Sequence, residues 1–119
     1  MAIKDLTTVK MHLFLCNGGS CKLKGAEDST AAIRAVLQEY KLGDLVHTTK
    51  TLCNGRCKDG PIVISMPGGE WFKEMSVPYA RSFVEKFIIK GDLQPDKLLY
   101  LLGEGKINEV PVSGELGGT

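Results

Sequence analysis

Four cysteines stand in this chain, in two tight groups: Cys16-Asn-Gly-Gly-Ser-Cys21 and Cys53-Asn-Gly-Arg-Cys57. Four thiolates delivered as two loop-borne pairs are what a two-iron, two-sulfide unit requires. Each iron is tetrahedral, bound by two bridging sulfides and two protein sulfurs. The C-x4-C pair (Cys16, Cys21) can serve one iron and the C-x3-C pair (Cys53, Cys57) the other. Such a site moves electrons. With all four thiols engaged as ligands there is no free nucleophile, and no histidine–carboxylate constellation suggests acid–base catalysis.

Three other uses of the cysteines remain open at this point. A structural zinc ion takes the same ligands, although its usual pair is C-x2-C. Disulfides need an oxidising compartment, for which the sequence carries no address. A thioredoxin-type dithiol needs C-x-x-C beside a βαβ pattern, and neither pair has that spacing.

The elements that must position these residues follow from periodicity. Residues 9–16, apolar and short, suit a buried strand ending at Cys16, and residues 17–20 read as loop. A helix is expected over about residues 29–42. Asp28, Ser29 and Thr30 offer N-cap oxygens, Ile33, Val36, Leu37 and Tyr40 form one face, and Gly43 ends it. Residues 44–52 read as a second strand, Pro61 to Ser65 as a third, and Trp71-Phe72 as the start of a fourth after a Pro67-Gly68-Gly69 turn. Pro78 opens a last helix with an apolar stripe of Ala80, Phe83, Val84, Phe87 and Ile88, closed by Gly91. The expected class is α/β, a mixed four-stranded sheet in the order β-α-β-β-β-α with flanking helices. A strand–helix–strand unit makes its two strands parallel neighbours, so both end at one edge of the sheet. Cys16 and Cys53 each close one of those strands. Two groups separated by 31 residues thereby meet.

A cluster with four thiolates and two ferric ions is a dianion, and its burial needs donors. Gly18, Gly19 and Gly55 leave room for backbone N–H groups, and Asn17 and Asn54 tolerate left-handed turns. Lys22, Lys24, Arg56 and Lys58 surround the cysteines, diluted by Glu27, Asp28 and Asp59. They read equally as a solvated rim or as a docking patch for an acidic partner.

Composition agrees with a single domain. The chain has 119 residues, 43% hydrophobic, with a net charge of +1. That near-neutral balance argues against nucleic-acid binding. No apolar run is long enough to span a bilayer, and residues 1–5 lack a signal-peptide layout. A cytoplasmic location is expected, where clustered thiols bind metal rather than pair.

The string Cys16-Asn-Gly-Gly-Ser-Cys21, then Lys-Gly-Ala-Glu, then Leu52-Cys53-Asn-Gly-Arg-Cys57 resembles the thioredoxin-like 2Fe-2S ferredoxins. It is also similar to the peripheral 2Fe-2S subunit of NADH:quinone oxidoreductases and related hydrogenases. The Pro61 strand, the Pro-Gly-Gly turn, Trp71-Phe72 and the Pro78 helix continue the likeness, over about residues 9–91. The resemblance implies a thioredoxin-like fold, a 2Fe-2S cluster on Cys16, Cys21, Cys53 and Cys57, one-electron exchange with redox partner proteins, and often a homodimer. The short C-x4-C loop is closer to the complex subunits. Those subunits, however, carry a helical extension before the first cysteine, and only 15 residues precede Cys16 here. A free-standing carrier is therefore favoured over a subunit of a larger dehydrogenase or hydrogenase complex.

His12 and His47 lie within strands and receive no role. Trp71 and Phe72 read as core or strand edge, and Met66 as a gap filler. Gly103-Glu-Gly105 lacks the lysine and hydroxyl of a phosphate loop. Asp96 to Leu102 is apolar enough to fold back as a short helix or extra strand, or to form a dimer contact. Residues 1–102 are expected as one domain and 103–119 as a loosely held tail.

Overall fold

The structure is a computed structural model that describes residues 6–94 and 96–110, with the Cys57 side chain left out. β1 (Met11–Cys16) leads into a short helix α1 (Gly19–Leu23) and then α2 (Ala26–Glu39). β2 (Val46–Thr51), β3 (Val63–Met66) and β4 (Glu70–Phe72) follow. A 3-10 turn at Val77–Tyr79 then opens the last helix, α3, which is α-helical over Ala80–Ser82 and π-helical over Phe83–Ile89. β5 (Leu98–Gly103) and β6 (Lys106–Glu109) are the last elements among the described residues.

β1 and β2 are parallel and in register from Met11↔Val46 to Cys16↔Thr51. β3, β4, β5 and β6 add antiparallel in turn, giving the order β2-β1-β3-β4-β5-β6. Among the described residues the sheet thus has six strands where four were expected. The two additional strands form a hairpin on the far edge. Its turn holds Glu104 and Gly105 at φ 53° and 76°, the two consecutive positive values that suit strand twist. Of the two glycines that lack a phosphate-loop context, Gly103 ends β5 and Gly105 lies in this turn. The Asn108 amide clamps the turn by donating to the carbonyls of Gly103 (3.0 Å) and Lys106 (3.2 Å). Asp96 to Leu102 accordingly contributes a strand. The expected tail is entered by β6, and residues 111–119 lie outside the described residues.

Alternation on β1 sends Leu13 and Leu15 to one face of the sheet, where α2 and α3 cover them. Ile33, Val36 and Leu37 meet them from α2, as the 3.6-residue stripe requires. The stripe on α3 packs Phe83 and Phe87 around Phe72, with centroids 5.1 and 4.7 Å from it. A second, smaller cluster holds Cys16, Cys21, Ala26, Ile62 and Ile64, with Phe14, Trp71 and Leu99 against it.

α2 begins three residues earlier than periodicity indicated. Gly25, at φ 90°, reverses the chain so that helix starts at Ala26 and ends at Glu39, ahead of Gly43. Ser29 and Thr30 are therefore buried inside the helix and cap nothing. The Ser29 hydroxyl donates to the Met75 carbonyl, tying α2 to the segment before α3.

Candidate metal centre

Residues 17–20, expected as loop, run straight into helix. Gly18 is the extended N-cap of α1, and Lys22 N–H returns to the Gly18 carbonyl at 2.9 Å. That single turn folds Cys21 back onto the end of β1, so the Cys16 and Cys21 sulfurs lie 3.3 Å apart. Two thiolates on one tetrahedral metal, with metal–sulfur bonds of about 2.3 Å, would sit about 3.8 Å apart. The pair is already close to chelating geometry. Both side chains are almost fully buried, at 3% and 1% exposure.

The second group arrives from the end of β2. Because β1 and β2 end together, Asn17 N–H donates to the Thr51 carbonyl at 2.8 Å, and Cys53 follows two residues later. The loops touch where Gly18 faces Cys53. A Cβ on Gly18 would lie 2.8 Å from the Cys53 nitrogen and 2.9 Å from its Cα, so only glycine fits. Cys53 is exposed, and Gly55 N–H points to its sulfur at 3.3 Å, with Gly55 at φ 92°. Cys57 opens a 3-10 turn, Cys57–Asp59, and its side chain lies outside the described residues. Lys24 of α1 closes the perimeter by donating to the Lys58 carbonyl at 2.8 Å.

Donors converge on Cys16. Burial pushes its thiol up. Hydrogen bonds from Gly18 N–H, the Cys21 thiol and both the side chain and N–H of Asn54 outweigh this and hold it below the ordinary value. An environment that favours thiolate favours metal ligation. Among the described residues no three His, Cys, Asp or Glu side chains converge on a single ion position. A two-iron unit needs only paired sulfurs at each metal, and the Cys16–Cys21 pair supplies one such set.

Asn17 and Asn54 do not adopt the left-handed conformations their sequence context suggested. They act through their amides. Asn17, buried, donates to the Leu15 carbonyl and to the Thr30 hydroxyl, both at 3.1 Å, and so fixes the end of β1 to α2. Asn54 donates to the Thr51 hydroxyl at 2.7 Å and the Leu52 carbonyl at 3.2 Å. Nothing in a hydropathy pattern signals these bonds.

The surrounding charge is partly neutralised. Lys22 faces Glu27 at 3.6 Å, and Arg56 pairs with Asp59 at 2.6 Å while its guanidinium lies 5.9 Å from the centre of the Tyr100 ring. Two leucines beside the cysteines stand in solvent, which hydropathy does not indicate: Leu23 is 90% exposed and Leu52 82%. His12 donates to or accepts from the Thr49 hydroxyl at 2.7 Å and stacks on Phe14, a packing role within the sheet.

Comparison with known proteins gives a consistent answer. A protein of Priestia megaterium named "Putative 2Fe-2S ferredoxin" is 43% identical over 96 residues, 81% of this chain and 75% of that one. A 2Fe-2S ferredoxin of Clostridium pasteurianum is 30% identical over 94 residues, 71% of this chain and 90% of that one. Among solved structures, a thioredoxin-like 2Fe-2S ferredoxin from Aquifex aeolicus superposes with a TM-score of 0.75 at 23% identity, covering 82% of this chain and 96% of that one. A crystal structure of the wild-type Aquifex aeolicus protein gives 0.71 at 24% identity, over 76% and 96%. The fold is thus thioredoxin-like. No family model matches the chain.

Proposed function

The chain belongs to the 2Fe-2S ferredoxins, electron carriers built on a 2Fe-2S cluster, and on that premise we propose that Cys16, Cys21, Cys53 and Cys57 are its four ligands. Cys16 and Cys21 hold one iron, and Cys53 and Cys57 the other. The observation that carries this is the common end of β1 and β2, with Gly18 seated on Cys53. When bound, the cluster supplies a one-electron couple. The chain's own contribution is to bury the first thiolate pair, aim N–H groups at both loops' sulfurs, and leave the second loop at the surface, where a partner can approach. Iron and sulfide analysis, with absorption before and after dithionite, tests the cofactor and its one-electron reduction. A structure of the loaded protein tests the division of ligands, and an iron held by one cysteine from each loop would overturn it.

The carrier works free-standing, in the cytoplasm, with a reductase and an acceptor enzyme as partners and without turnover of its own. Support comes from relatives named as ferredoxins and from thiols that must stay reduced until metal binds. No helix of the described residues is long and apolar enough to cross a membrane. Partners approach the loop face, where Leu23 and Leu52 stand among Lys22, Lys24, Lys50 and Lys58. Exposed leucines flanked by lysines, with Glu27 offsetting Lys22, suit a partner with an apolar contact and an acidic rim. Leu23→Ser and Leu52→Ser are expected to slow transfer from a flavoprotein reductase at unchanged potential, and wild-type rates to fall with salt. Salt-independent rates would remove the charged rim from the interface. A homodimer is supported by half-exposed Leu102 and Ile107, which pair across the β5–β6 hairpin, and light scattering of the holoprotein tests it.

A further inference from the structure

We propose that Arg56 and Asp59 tune the reduction potential of the centre in opposite directions, with Tyr100 as the positioning residue that holds the pair beside the second ligand loop. The inference rests on the ligand assignment above. Arg56 stands between Cys53 and Cys57, and Asp59 ends the 3-10 turn that Cys57 opens. The two residues close that turn twice. The Asp59 N–H donates to the Arg56 carbonyl at 3.0 Å. The Arg56 Nε donates to the Asp59 carboxylate at 2.9 Å, and its Nη2 lies 2.6 Å from the same oxygen. In the chain, Cys57 is bracketed by the pair. The guanidinium also lies 5.9 Å from the centre of the Tyr100 ring, within cation–π reach. Tyr100 is itself held by Trp71, its partner across β4 and β5, edge-on with centroids 5.5 Å apart. Asp59 is tied down as well, its carbonyl accepting the Glu74 N–H at 2.8 Å. The paired side chains are partly buried, 35% and 20% exposed.

The electrostatics give the signs. A cluster of two ferric ions, two sulfides and four thiolates carries two negative charges, and the accepted electron makes three. A positive charge nearby stabilises the more negative state more strongly and raises the potential, and a negative charge lowers it. Solvent and salt weaken the effect of a charge on a mobile, exposed side chain. A charge held in a partly buried seat, in the residue next to a ligand, keeps more of it. No proton moves, and the balance is one electron gained by the cluster from its reductant.

In the loaded protein, Arg56→Gln removes the positive charge and is expected to lower the midpoint. Asp59→Asn removes the negative charge and is expected to raise it. Each shift is up to about tenfold in the reduced-to-oxidised ratio at fixed potential, about 59 mV for one electron. A pair that merely braces the loop would move both midpoints the same way or neither, and that outcome overturns the proposal. Tyr100 lies outside the loop and carries the test if those two variants load poorly. Tyr100→Leu is expected to shift the midpoint in the direction of Arg56→Gln by a smaller amount, while Tyr100→Phe, which keeps the ring, leaves it in place. Equal midpoints for the two would also refute the proposal. Nuclear magnetic resonance of the iron-free protein adds a readout that needs no cluster: the Arg56 Nε–H should exchange slowly with water, and faster in Asp59→Asn. Free exchange in the wild type is equally fatal, because no fixed charge then stands beside the loop. Loss of the proposed ligand set reads differently, as a wild-type protein without iron or without a reducible spectrum.

Discussion

Replacing Gly18 with alanine and, separately, Gly19 with alanine makes the same chemical change at adjacent residues with opposite expected consequences. At Gly18 the new methyl would lie 2.8, 2.9 and 3.0 Å from the nitrogen, Cα and Cβ of Cys53. These are backbone or backbone-bound atoms that no rotamer change can move, and ordinary contact begins at about 3.4 Å, so the loops must separate by about 0.5 Å. Gly18 itself sits at φ −67°, open to any residue, so the penalty is purely one of space. Overpacking of this kind costs about 1–3 kcal/mol, or roughly 5- to 150-fold in the folded-to-unfolded ratio. At Gly19 a Cβ meets nothing within 4 Å, and the residue lies in the first turn of α1. There alanine adds helix propensity, between zero and about 1 kcal/mol of stabilisation. Urea unfolding of the iron-free proteins followed by circular dichroism reads the stability difference. Iron and sulfide per chain after reconstitution reads its consequence, since moving Cys53 away from Cys16 spoils the approach of the two ligand pairs. Equal stability and equal loading of the two variants would refute the argument that loop contact at Gly18 assembles the centre.

Cys57→Ala is expected to lose the cluster and its spectrum while circular dichroism stays near wild type, because the core around Leu13, Ile33 and Phe72 does not involve the metal. Phe72→Ala, at a fully buried residue wedged between Phe83 and Phe87, should cost about 3–5 kcal/mol in chemical denaturation of the iron-free chain. In the iron-free protein the Cys16 thiol, lowered in the fold, should ionise below its ordinary value in a thiolate-absorbance titration. The associated stability is then fully present above the unfolded thiol value of about 8.5 and is lost as pH falls through the folded one. A titration that leaves every thiol at or above its unfolded-chain value would contradict the donor geometry around Cys16.

The convergence of the two cysteine-bearing loops was legible in the sequence. Cysteine spacing is local, and a strand–helix–strand unit has one hand and one parallel outcome, so Cys16 and the residue opposite it, Thr51, had to end at the same edge. The stripes on α2 and α3 were equally plain, because apolar burial on a helix repeats with the helical period. The β5–β6 hairpin was not, since Lys106-Ile-Asn-Glu is too polar to alternate and its turn spends a positive φ on Glu104, a residue with no turn signature. Nor did hydropathy indicate that α2 starts at Ala26, where Gly25 reverses the chain, or that Asn17, Thr30 and Asn54 pair across elements. Tertiary structure alone decided that Cys16 and Cys21 are buried, that Gly18 lets the loops touch and that the Gly55 N–H faces the Cys53 sulfur. Such contacts depend on where segments distant in the chain are brought together, and a polar side chain carries no periodic mark of the partner it will find.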